Sequence, residues 1–259
     1  MVMKTWVIKI GGAVLDTEYA ASALFKELAK ISINSSSNQF VLVHGGGSLV
    51  DRWLSDAGFA TAKHQGLRIS PKEQMPYIAG ALAGCANKQL MAYAIKASLQ
   101  PVGCCLYEAG LMAKQKLKAL GQVGECVPHN KGILTALLEL GHMPLVSSVG
   151  LGDDGQLYNV NADEAASAIA SQLNGELIFM TDVEAVLDGN KQPLNQLNQA
   201  QIEVLIEAGV IVGGMEVKVK TSLRAAQHLR RGVYISSWQK PQNLSALVDG
   251  AHVGTQITP

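Results

Sequence analysis

The chain has 259 residues, 48% of them hydrophobic and 16% charged, and its 21 Lys and Arg balance 21 Asp and Glu. That apolar fraction excludes bulk disorder, and a formal charge of zero gives no electrostatic reason to expect nucleic acid or an anionic membrane as partner. Folding at this length removes roughly 70–75% of the unfolded chain's surface from water, so a core needs no disulfide staples.

Met1–Leu15 is apolar, but Lys9 and the Gly11-Gly12 pair interrupt any signal-peptide core, so Trp6–Ile10 reads as a first buried strand. An amphipathic helix follows at Glu18–Ile31, then a polar surface loop at Asn34–Gln39 and a second strand at Phe40–His44. Helix returns near Leu49–Ala57. Ser70-Pro71-Lys72-Glu73 has the spacing of a capping box with proline at the first helical position. It opens an Ala-rich region, Pro71–Ser98, read as two helices broken near Gly84. Further strands are expected at Val102–Leu106, Met143–Ser148, Glu176–Thr181 and Val233–Ser236. Helices are expected at Gly132–Leu140, Ala162–Leu173, Ala200–Glu207 and Glu216–Leu229. Short strands separated by helices predict an α/β fold with a mostly parallel sheet covered on both faces. Ala60–Arg68, Met112–Gly124 and Gly150–Tyr158 read as hairpins or excursions from it, with Asp154-Gly155 as a hairpin turn. Four cysteines (Cys85, Cys104, Cys105, Cys126) show no CxxC spacing, so buried thiols in a reducing cytoplasm are expected, and no zinc site. No stretch of 18 apolar residues occurs, so no transmembrane helix is expected.

In an open α/β sheet, ligands bind beyond the carboxyl ends of the strands. After the first strand comes Lys9-Ile10-Gly11-Gly12, and after the second His44-Gly45-Gly46-Gly47-Ser48. Glycines there let backbone N–H groups approach an anion, and the next helix adds positive potential. Either loop alone is equally well a tight strand-to-helix turn. Both together, with a lysine at a strand end, favour phosphate. The P-loop pattern is absent. GxGxxG does occur at Gly150–Gly155, but its variable positions Asp153 and Asp154 would repel a pyrophosphate, and the next helix begins too late to serve it. Asn161 with Glu164 fits a helix N-cap and its box partner, while Asn159 and Asp163 flank that cap and can face the ligand edge. Thr181-Asp182-Val183 ends a strand, and Gly213-Gly214-Met215 leads to Lys218 in the first turn of a helix, where the dipole disfavours a cation unless an anion is shared there. Six histidines occur, and His44, next to the glycine loop, reads as a packing residue.

Lys9-Ile10-Gly11-Gly12, His44–Gly47, Gly66-Leu67-Arg68, Gly80–Gly84 with Asn87-Lys88, Asn159–Asp163, Thr181-Asp182-Val183 and Gly214-Met215 with Lys218 stand in an order that resembles the amino acid kinase superfamily. Gly-Leu-Arg followed by Asn-Val-Asn-Ala-Asp is most similar to the acetylglutamate kinases within it. The resemblance implies a three-layer αβα sandwich with a central mostly parallel sheet, as in carbamate kinase, and one domain over residues 1–259. About 1–175 would bind N-acetyl-L-glutamate and dimerise, and about 176–259 would bind ATP with Mg²⁺ carried mainly on its phosphates. Lys9 and Lys218 would contact the transferring phosphoryl group, with Asp163 holding both lysines. Gly46 and Gly47 would donate N–H groups to substrate, Arg68 would clamp its α-carboxylate, and Asn159 would fix its amino-acid end. Gly11 and Gly12 would serve the phosphates. Asp182, Val183, Glu184, Ala185, Val186 and Leu187, with Val210, Ile211, Val212, Gly213, Gly214 and Met215, would surround the nucleotide. Gly213 departs from relatives that carry an acidic residue there. The implied protein is a cytoplasmic homodimer with weak or no arginine inhibition, because the first strand starts about five residues in and leaves no helical extension to join dimers. Glutamate 5-kinase, carbamate kinase and UMP kinase are the neighbouring readings, and a non-catalytic ligand sensor on the same fold is the reading of a different class.

Overall fold

Side chains alternate across a strand, so each strand of a sheet covered on both sides must be apolar on both faces. β1 (Lys4–Ile10) shows this directly: Trp6, Ile8 and Ile10 enter one core and Val7 the other. The computed structural model describes residues 3–35, 37–64, 66–130 and 132–259, so Ser36 of the expected 34–39 loop and Gln65 of the expected 60–68 hairpin lie outside the described residues. With β2 (Asn38–His44), β3 (Pro101–Cys104), β4 (Met143–Ser147), β5 (Glu176–Thr181), β6 (Gln196–Leu197), β7 (Val233–Ser237) and β8 (Thr255–Ile257), β1 forms an eight-stranded sheet. Its order is β6-β8-β7-β5-β1-β2-β4-β3, parallel throughout except for the antiparallel β7–β8 pair.

Helices close both faces. On the Trp6 side lie α1 (Glu18–Asn34) and, further along the chain, α8 (Gln242–Val248). In α1 the buried Ala21, Leu24, Phe25, Leu28 and Ile31 repeat at the spacing of one helical face. On the Val7 side lie α5 (Ala162–Leu173) and α7 (Gly213–Leu229), flanked by α4 (Gly132–Glu139) and α6 (Gln199–Glu207). These layers make the molecule an αβα sandwich. α2 (Gly47–Asp56) and the first part of α3 (75–96) share a third, smaller core beside the sheet. Off the sheet edge stand the hairpin Lys63–His64/Leu67–Arg68 and a four-stranded sheet of Leu111–Gln115, Val123–Pro128, Leu157–Val160 and Val149–Leu151.

Four local expectations are corrected. The capping box at Ser70 does not form: no side chain caps the 3-10 turn Lys72–Gln74, and regular helix starts only at Met75. The Ser70 hydroxyl is taken instead by a tertiary partner, Asn159, and by the Arg68 carbonyl two residues back. α3 does not break at Gly84 but passes through a π-helical stretch, Gly80–Ala86, before Asn87–Lys96. Asn161 caps α5, yet Glu164 does not close the box, because its carboxylate pairs with Lys116. α7 begins at Gly213, so Lys218 sits in its second turn, beyond the strongest reach of the helix end.

Candidate active site

From β1 the chain moves to β2 on one side, and from β5, its other neighbour, it moves away toward β7; the crevice at such a reversal, at the strands' carboxyl ends, is where open α/β sheets bind ligands. Two cavities open there, of about 230 Å³ and about 330 Å³. Lys9 and Asp163 line both. Gly45–Gly47, Arg68 and Asn159 line the first; Gly11, Gly12, Asp182, Lys218 and Trp238 line the second.

Alternation places Lys9 on the Val7 face, under the mouth of α5, where its Nζ lies 2.8 Å from Asp163 Oδ1. Asn161 holds that mouth in shape, its Oδ1 accepting from the N–H groups of Asp163 at 2.8 Å and Glu164 at 3.2 Å. The two glycine loops pack on each other. A Cβ on Gly12 would stand 3.3 Å from Gly46 Cα and 3.4 Å from Gly47 N, so a side chain there would press on the second loop, while one on Gly46 would stand 2.9 Å from the Leu82 side chain of α3. Gly11 and Gly47 face open space, leaving their backbones accessible. Because α2 starts at Gly47, the N–H groups of its first residues have no helical partner, and Gly47 itself lines the first cavity.

Arg68 approaches that cavity from the hairpin, its side chain only 8% exposed. It donates to Asp51 and, at 3.2 Å, to the Gly47 carbonyl. Asp51 stands one helical turn after Gly47, so α2 carries both the glycine N–H groups and the carboxylate that aims the arginine. The guanidinium hydrogen bond holds the Asp51 carboxyl below its ordinary value. Asn159 donates to Ser70 Oγ at 3.0 Å. Below the loop, buried His44 has its Nδ1 2.9 Å from the Gly45 carbonyl and its Nε2 3.1 Å from the Asn87 amide. Burial lowers its pKa to about 4, so it is a neutral brace, with Nδ1–H donating to the carbonyl and Nε2 accepting from Asn87.

In the second cavity Lys218 is paired with Asp182, and Asp163 is left to Lys9 alone; the expectation that Asp163 holds both lysines is not what the structure shows. The hydrogen bond from Lys218 holds the Asp182 carboxyl below its usual value. Of the other residues expected around a nucleotide, none from Val183–Leu187 or Val210–Met215 lines this cavity. Ala185, Val186 and Ile211 are core residues, able to offer a ligand only their backbone. Val212 and Leu187 are exposed apolar side chains, and Glu184 pairs with Lys240. The GxGxxG match at 150–155 is a hairpin tip, where the Asp154 carboxylate accepts from Gln156 N–H and Tyr158 OH.

Three lining or supporting residues were not singled out by sequence reasoning. Trp238 follows β7 and donates its backbone N–H to the Thr181 carbonyl at 3.0 Å; its place just past a strand's carboxyl end was the available signal. Asp51 and Ser70 act on Arg68 and Asn159 from 17 and 89 residues away; no local pattern marks Asp51, and the one that marks Ser70 points to a helix cap and not to the site.

Glycine loops on adjacent strands, two lysines facing one cavity and a second cavity sharing one of them define a phosphotransferase-type site. Residues 4–237 match the profile of the amino acid kinase family, and the chain belongs to that family. It is 48% identical over 256 residues to the acetylglutamate kinase of Aeromonas salmonicida, covering 98% of each chain. It is 46% identical over 259 residues to that of Colwellia psychrerythraea, covering 100% of this chain and 98% of the relative. Among solved structures it resembles smu.665 from Streptococcus mutans, with a TM-score of 0.75, 27% identity and 98% of each chain covered.

Proposed function

We propose that the chain transfers the γ-phosphoryl group of ATP to the γ-carboxylate of N-acetyl-L-glutamate, giving an acyl phosphate and ADP. The observation that carries this reading is the wall shared by the two cavities, where Lys9, held by Asp163, faces both. The acceptor takes the first cavity: its α-carboxylate meets Arg68, its amino-acid end meets Asn159, and its γ-carboxylate meets the N–H groups at Gly46 and Gly47. All residues lining that cavity precede 175, which supports assigning the acceptor to the first half of the chain. ATP takes the second cavity, with Gly11 and Gly12 beside its phosphates, Lys218 facing them, and the segments at 182–187 and 210–215 bordering the nucleotide.

A side-chain carboxylate, with a reference pKa of about 4.3, is ionised at neutral pH and needs no base to become a nucleophile. Its oxygen forms the new bond to the γ-phosphorus as the bond to the bridging oxygen of ADP breaks. Two anions must meet, through a loose transition state with charge spread over equatorial oxygens. Lys9, Lys218 and loop N–H groups offer fixed positive potential where that charge develops. Mg²⁺ arriving with ATP would neutralise charge on the nucleotide's phosphates.

ADP release with hydroxylamine trapping of the acyl phosphate tests the reading. N-acetyl-L-glutamate should be phosphorylated and free glutamate should not; the reverse order assigns the chain to a glutamate 5-kinase reaction. Binding of acetylglutamate without ATP consumption would make it a sensor. With the same reading go a homodimer and a cytoplasmic location. No helix among the described residues is long and apolar enough to cross a membrane, and a hexamer in light scattering would overturn the dimer.

A further inference from the structure

Ser70 is fully buried and lies in a closed ring of hydrogen bonds. Gln122 N donates to the Ser70 carbonyl at 2.7 Å, Asn159 N donates to the Gln122 carbonyl at 2.8 Å, and Asn159 Nδ2 donates to Ser70 Oγ at 3.0 Å. Ser70 N donates to the Leu120 carbonyl at 3.0 Å. Gly121, at φ +71, completes the turn, and a Cβ there would fall 2.5 Å from the Ser70 carbonyl oxygen. The ring fixes both backbones, so neither residue can slide relative to the other.

The hydroxyl has one proton, and the Arg68 carbonyl 3.1 Å away can only accept it. Ser70 Oγ therefore has only acceptor capacity left for Asn159. If the Asn159 amide were turned over, its Oδ1 and the Arg68 carbonyl would compete for a single proton, leaving a polar atom unmatched in a buried place. The amide is thus locked with Nδ2 toward Ser70 and Oδ1 as its free end, and Asn159 lines the first cavity. The same hydroxyl tethers the backbone of Arg68, so one buried atom sets two of the acceptor's anchors.

Resting on the acceptor reading above, we propose that Ser70 is a positioning and specificity-determining residue: it presents Asn159 Oδ1 to the substrate as a hydrogen-bond acceptor, so the site selects an acylated N–H. An ester oxygen at the same place would set two acceptors against each other. A site built to bond a substrate N–H rejects the analogue lacking it strongly.

The test uses the intact chain, N-acetyl-L-glutamate, and its ester isostere 2-acetoxyglutarate, in which oxygen replaces the N–H. The wild type should favour the amide by about 100-fold or more in kcat/KM. Ser70→Ala, checked for an intact fold by thermal melting, frees the amide to turn. Its KM for the amide should rise about fivefold, with kcat within about twofold and the amide-to-ester preference falling about tenfold. Ser70→Thr, which keeps the hydroxyl, should restore the preference. A Ser70→Ala preference equal to wild type, or a wild type that uses both acceptors alike, overturns the proposal while leaving the kinase reading standing. A wild type that phosphorylates neither overturns both. If Ser70→Ala does not fold, Ser70→Cys, whose thiol is a weak hydrogen-bond acceptor of similar size, takes its place, with the same fall in preference expected and an unchanged preference overturning the proposal.

Discussion

The two cavities share a wall but hold their charges differently. In the first, Arg68 is nearly enclosed, aimed by Asp51 and the Gly47 carbonyl, while Asn159 and His44 are each fixed by buried partners. In the second, Lys218 and Asp182 pair at 32% and 60% exposure, and outside it Lys240 and Glu184, the latter on the segment after β5, pair at 49% and 55%. An exposed ion pair is worth about 0–1 kcal/mol, so it exchanges partners readily when a polyphosphate arrives. Breaking a buried network costs several times more, because each abandoned group loses its solvation as well. Selectivity should therefore reside in the rigid acceptor half, while the donor half trades rigidity for the ability to release Lys218 from Asp182 to a phosphate.

The largest effect should come where the halves meet. Lys9→Ala removes the cation common to both cavities and should lower kcat by roughly 10²–10³, or about 2.7–4 kcal/mol, with KM for either substrate much less changed. Lys218→Ala should fall on the same scale if it reaches the phosphoryl group. Steady-state kinetics on both variants checks this, and full turnover in both would undo the mechanism.

Next comes acid sensitivity of the rigid half. Burial lowers the His44 pKa from 6.5 to about 4, so as pH falls the unfolded chain takes the proton first. The stability this residue contributes is full above about 6.5 and drains away as pH falls toward 4, to a total of roughly 3 kcal/mol. Urea unfolding from neutral to acid pH should show that slope, and His44→Gln should flatten it. A parallel fall in both proteins would place the acid-sensitive group elsewhere. Lys88, bonded to Asn87, repels the same proton and adds to the effect.

Arg68→Ala should raise KM for acetylglutamate by roughly tenfold to a hundredfold while leaving KM for ATP alone, since a charge-assisted clamp contributes about 1.5–3 kcal/mol. An equal rise in both constants would mean that the halves are not independent.

Much of this was legible in one dimension because it is periodic or local. Alternation in Trp6–Ile10, glycines after two strands, and the Asn161 cap each depend on neighbours a few residues away, and the structure forms all three. What could not be read are choices among partners. Ser70-Pro71-Lys72-Glu73 satisfies the local rule for a helix cap, but the hydroxyl finds Asn159, 89 residues on, because a buried donor there would otherwise be unpaired. Glu164 similarly leaves its helix box for Lys116, 48 residues away. α7 starts earlier than expected because Gly213 and Gly214, poor helix formers by propensity, are carried by packing of the residues behind them. The partner of Lys218 belongs with these: proximity to Asp182 is a property of the folded sheet, 36 residues apart in the chain.

The smallest effect is the most discriminating for the contrast between halves. Glu184 belongs to the segment after β5 and meets Lys240 in water at about half exposure, so Glu184→Gln removes a charge without removing packing. If the donor half is held loosely, the pair contributes about 0–1 kcal/mol to stability, and KM for ATP should move by about twofold or less. Raising the ionic strength should shrink even that, because exposed charges are screened within about 10 Å at 0.1 M salt. A tenfold change in KM for ATP, insensitive to salt, would mean that Glu184 and Lys240 form a rigid wall of the nucleotide site. The donor cavity would then be as preorganised as its neighbour, and the freedom assigned to Lys218 would have to be given up.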